Sequence, residues 1–241
     1  VAIPPLVQVP LAAGDRYLAA NIEVFRAMIV GAEVRDPATF KVLGIVQKSA
    51  ALLNPVHEDN YYISQAILPW NGQVEADKFI QQSATSARPW DPLPPFFLGF
   101  DHFYFLRDPV AGAKIIRIAA ERSPPGNREA LTAMSARWAE KGDDPRTAIV
   151  MIEALAKNTR HQELKKHLEA RLERMKGLAE LRDSAKVFAE KQGRPLRRLE
   201  ELVEVGVLKA LPNDPLGEGY TIDSQGTPMM AKPSPAKTNS K

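Results

Sequence analysis

The chain has 241 residues, 44% hydrophobic and 25% charged, with 32 basic against 29 acidic side chains and a formal charge of +3. That balance belongs to an ordinary globular protein with residues enough for one sizeable core or two small ones, and it excludes a disordered or fibrous chain. With no cysteine, disulfides, thiolate catalysis and zinc-cysteine centres are excluded as well.

Taken in order, residues 1–14 carry Pro4, Pro5 and Pro10 and read as an extended lead-in. Asp15 is placed to cap a helix running to about Val30, and Asp36 precedes a second helix over residues 37–53. The two form an atypical, capping hairpin. Residues 61–68 and 74–84 make the next helical pair, separated by Pro69-Trp70-Asn71-Gly72. Residues 96–106 and 111–121 follow, entered through the proline-rich 89–95, which is expected to be irregular. Residues 128–140 and 146–157 complete the array. One long helix then spans 162–191, with Leu164, Leu168, Leu172, Met175 and Ala179 on a single stripe. The expected organisation is a helical repeat domain over 15–158, a long capping helix over 159–192, a small C-terminal module over 193–226 and a disordered tail over 227–241.

The repeat is visible as arithmetic. Pro55, Pro89 and Pro125 each close a helical stretch at spacings of 34 and 36 residues, and the inner turns at Arg107-Asp108 and Gly142-Asp143 lie 35 apart. Ala113 and Ala120, with Pro125 beyond them, set two small residues on one helical face where a neighbour must come close. At these positions the chain resembles tetratricopeptide repeat (TPR) proteins. It departs from them at Asn60 and Pro95, where that family often has tryptophan, and in inner turns about one residue longer. The resemblance implies an all-α fold, a right-handed α-solenoid of stacked helical hairpins, with a groove that takes a peptide or helix from a protein partner. Aligned on Ser64, Gly99 and Ser135 as close-contact positions, it implies a groove lined by Tyr61 and Gln65, by Phe96, Phe100 and Phe103, and by Thr132, Ala136 and Ala139. The competing reading makes the three phenylalanines core, in an array that folds its own groove shut. Lys and Arg are missing from these positions, so a carboxylate-clamp ligand is not expected.

Residues 194–208 read as a short helix stopped by Gly206, and 211–226 as turns around one or two short strands. Through Leu211, Pro212, Asp214, Pro215, Gly217 and Tyr220 this segment resembles the C-terminal module of bacterial pseudopilins and the tail of a group of bacterial envelope tetratricopeptide proteins. That resemblance implies a periplasmic or cell-envelope scaffold serving a pilus or secretion apparatus, with any inner-membrane anchor upstream. The alternative is a cytoplasmic adaptor or regulator using the same groove. Asp214, with Asn213 and Asp223, reads as a turn cap rather than a calcium ligand.

No sequence constellation points to catalysis. His161 and His167 are six residues apart, on different helical faces, and His57 and His102 stand alone. Nucleophile-elbow, Walker and dinucleotide motifs are missing from the sequence, so no enzyme, cofactor or metal is expected. The basic runs at 194–198 and 165–176 read as solvated helix surface rather than a nucleic-acid site.

Overall fold

A computed structural model describes residues 3–33 and 36–231. The chain is predominantly helical, with one small two-stranded antiparallel sheet among the described residues, and contacts divide it into two compact units, Val1–Trp138 and Ala139–Lys241.

The first unit contains α1 (Pro5–Leu11), α2 (Arg16–Glu33), α3 (Pro37–Leu53), α4 (Glu58–Ile67), α5 (Val74–Ala87), α6 (Leu93–Phe100), α7 (Pro109–Arg122) and α8 (Asn127–Ala139). Aspartates open three of these helices. Asp15 accepts from Leu18 N–H at 3.1 Å, Asp36 from Thr39 N–H at 3.0 Å and Asp108 from Ala111 N–H at 2.9 Å. Each satisfies a donor that the first helical turn leaves orphaned.

Two proline-rich segments depart from the sequence expectation. Residues 5–11 are helical rather than extended, and α6 begins at Leu93 with Pro94 and Pro95 in its first turn. Proline breaks a helix only where its missing N–H would bond four residues back, and Pro5, Pro94 and Pro95 stand in first turns that make no such bond, whereas Pro10 lies inside the seven-residue α1.

The apolar core gathers Leu43 and Val46 of α3, Tyr61 of α4, Leu68, and Ile80 and Ala84 of α5. Threaded through it is a buried polar network. Asn60 donates to Gln47 O at 3.0 Å, Ser64 donates to the Asp77 carboxylate, Gln81 donates to Tyr61 O at 2.8 Å, and Gln65 donates to Asp101 Oδ1 at 3.3 Å. Asp77 and Asp101 are both fully buried and their carboxyls act on each other, each keeping one oxygen, Oδ2, that no other donor reaches. Burial raises both carboxyls, and the charge of Asp77 raises Asp101 further, so the pair holds a proton.

Between α6 and α7 the backbones themselves meet. A Cβ on Gly112 would stand 2.9 Å from Gly99 O and 3.1 Å from Phe103 N, and one on Gly99 would stand 3.2 Å from Ile116 N. Beyond them, Ser135 of α8 donates to Ala113 O at 2.7 Å, and Ala113 and Ala120 are both buried. Ser64, Gly99 and Ser135 are thus all sites of close helix approach.

The second unit pairs α9 (Pro145–Asn158) with the long α10 (Gln162–Gln192), followed by the one-turn α11 (Glu201–Glu204), β1 (Tyr220–Ile222) and β2 (Pro228–Met230). The strands run antiparallel with Tyr220 opposite Met230. Residues 228–230 therefore form a strand where a tail was expected; the end of that tail, 232–241, lies outside the described residues. Leu181 and Phe188 of α10 pack with Leu196, Leu199 and Leu202. Arg174, buried in α10, reaches Glu218 at 2.6 Å and Asp214 at 3.4 Å, while Tyr220 donates to Arg174 O at 2.9 Å. Gly177 leaves room for that phenol, since a Cβ there would stand 3.1 Å from Tyr220 Cζ. Asp214 is spent as a turn cap, accepting from Leu216, Glu218 and Gly219 N–H at 2.9, 3.0 and 2.7 Å.

Gly112→Ala presses a methyl group against rigid backbone and is expected to cost about 1–3 kcal/mol, read as a lowered urea midpoint. The tryptophans, Trp70, Trp90 and Trp138, all lie in the first unit, so tryptophan fluorescence, excited apart from Tyr220 of the second, reports its unfolding. The buried acid pair sets the sign of the pH dependence. Its folded-state pKa values are raised, so the folded unit binds more protons than the unfolded chain above about pH 3.9. Its stabilising contribution is complete below that value and is lost as pH rises toward the raised values. Asp101→Asn should flatten the fall in the tryptophan-detected urea midpoint between about pH 3.9 and about 9, the raised value of Asp101; an unchanged pH profile would show that the pair carries no shared proton.

Candidate functional site

Where the chain leaves α6 its winding changes. Residues Asp101–Phe105 form a π-turn in which Leu106 N–H reaches back five residues to Asp101 O at 3.0 Å. Asp101 points inward to Gln65 and Asp77, and the extra residue in the turn alters the facing of everything after it. Arg107 closes the turn at φ +56°, a left-handed conformation uncommon for a residue with a side chain, and Asp108 with Pro109 then restarts the helix as α7. Such backbone outliers concentrate at functional sites.

The turn gathers four aromatic rings at the surface. Phe100 stacks on Tyr104 with centroids 5.3 Å apart and planes 8° apart; Phe105 meets Trp70 edge-on at 4.9 Å; Trp70 lies 5.8 Å from Tyr104. Trp70 is 57% exposed and Tyr104 42% exposed. The Arg107 guanidinium lies 5.5 Å from the Tyr104 centroid. Gly72, at φ +75°, ends the short 3-10 turn Pro69–Asn71 that presents Trp70. Trp, Tyr and Arg are the side chains that dominate binding energy in protein interfaces, because they combine large apolar area with a polar handle and little entropy loss.

The sequence-derived groove residues are dispersed. Tyr61 is buried, donating its hydroxyl to Asp91 at 2.7 Å beneath the Arg88 guanidinium. Gln65 is buried in the polar network, and Ala136 is fully buried. Phe103, half-buried, stacks on Trp138 at 4.3 Å and 10°. Phe96, half-buried, lines a shallow depression of about 250 Å³ with Leu93 and Leu131. Thr132 turns its hydroxyl back to Arg128 O at 2.7 Å. Only Phe100 belongs to the aromatic surface. Trp70, Tyr104, Phe105 and Arg107 were missed. The available signal was three consecutive aromatics, Phe103-Tyr104-Phe105, which cannot all face one core in any regular helix.

A cavity of about 420 Å³ in the second unit is lined by Arg146, Arg182, Asp183, Lys186 and Gly226. Its polar groups answer one another: Arg146 pairs with Asp183 at 2.7 Å and Arg182 donates to Pro228 O at 3.0 Å. His102, in the π-turn, is half-buried, and burial lowers its pKa. His161 caps α10, accepting from Leu164 N–H at 3.2 Å. Arg146, Arg182 and His161 thus each hold a structural contact, while His102 Nδ1 is buried without a hydrogen-bond partner. Among the described residues no helix is long and apolar enough to cross a membrane. No family model, curated protein or solved structure matches the chain.

The two aromatic populations separate by stability. Tyr104→Ala, at the surface, is expected to change the unfolding free energy by less than about 1 kcal/mol, whereas Phe103→Ala, which removes the stack on Trp138 from a half-buried position, should cost about 2 kcal/mol. Urea titration of both variants checks the contrast.

Proposed function

We propose that this chain is a non-enzymatic protein-protein interaction scaffold whose helical pairs stack as a right-handed α-solenoid. The partner is captured by the aromatic surface of Trp70, Phe100, Tyr104 and Phe105. The observation that carries this reading is the exposure of Trp70 and Tyr104 beside Arg107, on a turn whose backbone is held from within by Asp101. A surface of preassembled rings binds an apolar side chain of a peptide or helix with little ordering cost.

The setting we propose is the bacterial envelope, in support of a pilus or secretion apparatus. It rests on the pseudopilin-like string at Leu211, Pro212, Asp214, Pro215, Gly217 and Tyr220. In keeping with that likeness, Asp214 and Tyr220 organise one compact turn-and-strand module against α10.

Crosslinked pull-downs from native envelopes and from cytosol, using the wild-type chain and a Trp70→Ala/Tyr104→Ala variant of unchanged helicity, test both parts. Capture of pilus or secretion components by wild type alone is the expected result. Equal capture by the variant would remove the aromatic surface from the reading. Capture confined to cytosol would replace the envelope scaffold with a cytoplasmic adaptor.

A further inference from the structure

Helix α2 is apolar on two opposite faces. Ala20, Val24 and Ala27 are buried against the first unit. On the other side Leu18, Ile22, Phe25 and Ile29 recur at spacings of four, three and four residues and lie in solvent, Phe25 at 62% exposure and the other three at 46–48%. Helices apolar all round are found buried, and this spacing is the seam by which one helix packs along another. Tyr17, Met28 and, on α1, Leu11 widen the exposed surface. Together these side chains leave on the order of 800 Å² uncovered, the share each partner contributes to a standard stable interface and more than a monomer's largest apolar patch.

A groove of about 160 Å³ runs beside the stripe, between α1 and α2, lined by Gln8, Leu11, Ala12, Ala19, Ile22 and Glu23. Its polar lining is answered only in part: Glu23 pairs with Arg26 through one oxygen, while Glu23 Oε2 and Gln8 Oε1 are buried without a hydrogen-bond partner. Phe25 is the largest side chain of the stripe and stands one turn from Ile22. Laid antiparallel across a two-fold axis, two α2 helices set Phe25 of each copy opposite Ile22 of the other, and Leu18 opposite Ile29. Each copy then presents to the other the same side chains that it receives, the self-complementary condition that a two-fold interface requires. In that register Arg26 falls level with Asn21 of the second copy, so like charges do not meet.

The geometry points to a second copy of this chain as the occupant of the α2 stripe, in an antiparallel two-fold dimer with Phe25 of each copy packed on Ile22 of the other. This surface is separate from the proposed partner site at Trp70.

Sedimentation of the full chain over an about hundredfold concentration range tests it, with an expected mass of about 53 kDa, twice 26.6 kDa. Phe25→Asp, at an exposed position, should keep the wild-type helicity and sediment as a monomer. The chain has no cysteine, so Leu18→Cys and Ile29→Cys add unique reporters. On oxidation, a mixture of the two should crosslink while neither does alone. A monomer at every concentration, or a dimer indifferent to Phe25→Asp, would overturn the proposal. Crosslinking of Leu18→Cys to itself would overturn the antiparallel register. A wild-type monomer that floats with anionic vesicles, where Phe25→Asp does not, would assign the stripe to a lipid surface instead.

Discussion

The protonated pair Asp77 and Asp101 is the constraint on which the first unit turns. Two carboxyls buried among helices cannot both be ionised, and each needs donors that apolar packing does not supply. Ser64, Gln81 and Gln65 supply them, and so the positions of α4, α5 and the end of α6 become conditions on one another. Such a network adds little net stability compared with an apolar core of equal volume, but it penalises any arrangement that leaves a member unpaired. Its structural product is local. With Asp101 held inward, the chain leaves α6 in a wider turn, and the neighbouring rings are directed to the surface.

The second unit is organised around a cation instead. Arg174 stands in the middle of a long helix, where its guanidinium meets Glu218 and Asp214 and its backbone carbonyl accepts from Tyr220. A buried guanidinium is stable only with its charge answered, and removing one partner of such a group is far costlier than never having built it. A turn rich in proline and glycine, with little core of its own, therefore acquires a single docked conformation on α10.

Much of the helical order was legible in the sequence because it rests on short-range signals. Asp36 and Asp108 before their prolines, the Leu164 to Ala179 stripe and the turn at Gly206 act within a few residues and carry over directly to structure. At 5–11 and 93–95, Pro5, Pro94 and Pro95 were weighed by composition rather than by their place in a first turn, and Pro10 is held inside the short α1. The site was far less legible. Tyr61, Gln65 and Ala136 occupy positions that a repeat alignment sends to a groove, whereas their burial follows from partners far away in sequence, Asp91 and Asp101 among them. Trp70 sits in a short turn between helices, and nothing local indicates that it will meet rings more than thirty residues later.

The π-turn also bears on how such a surface can arise. One residue more than an α-helix requires is accommodated between Asp101 and Leu106, and α7 resumes beyond it with Gly112 still seated against Gly99. The packing of the hairpin is thus insulated from the length of its turn. A helical pair built this way can gain or lose a recognition face by a single-residue insertion or deletion, leaving the amino acids of its core untouched.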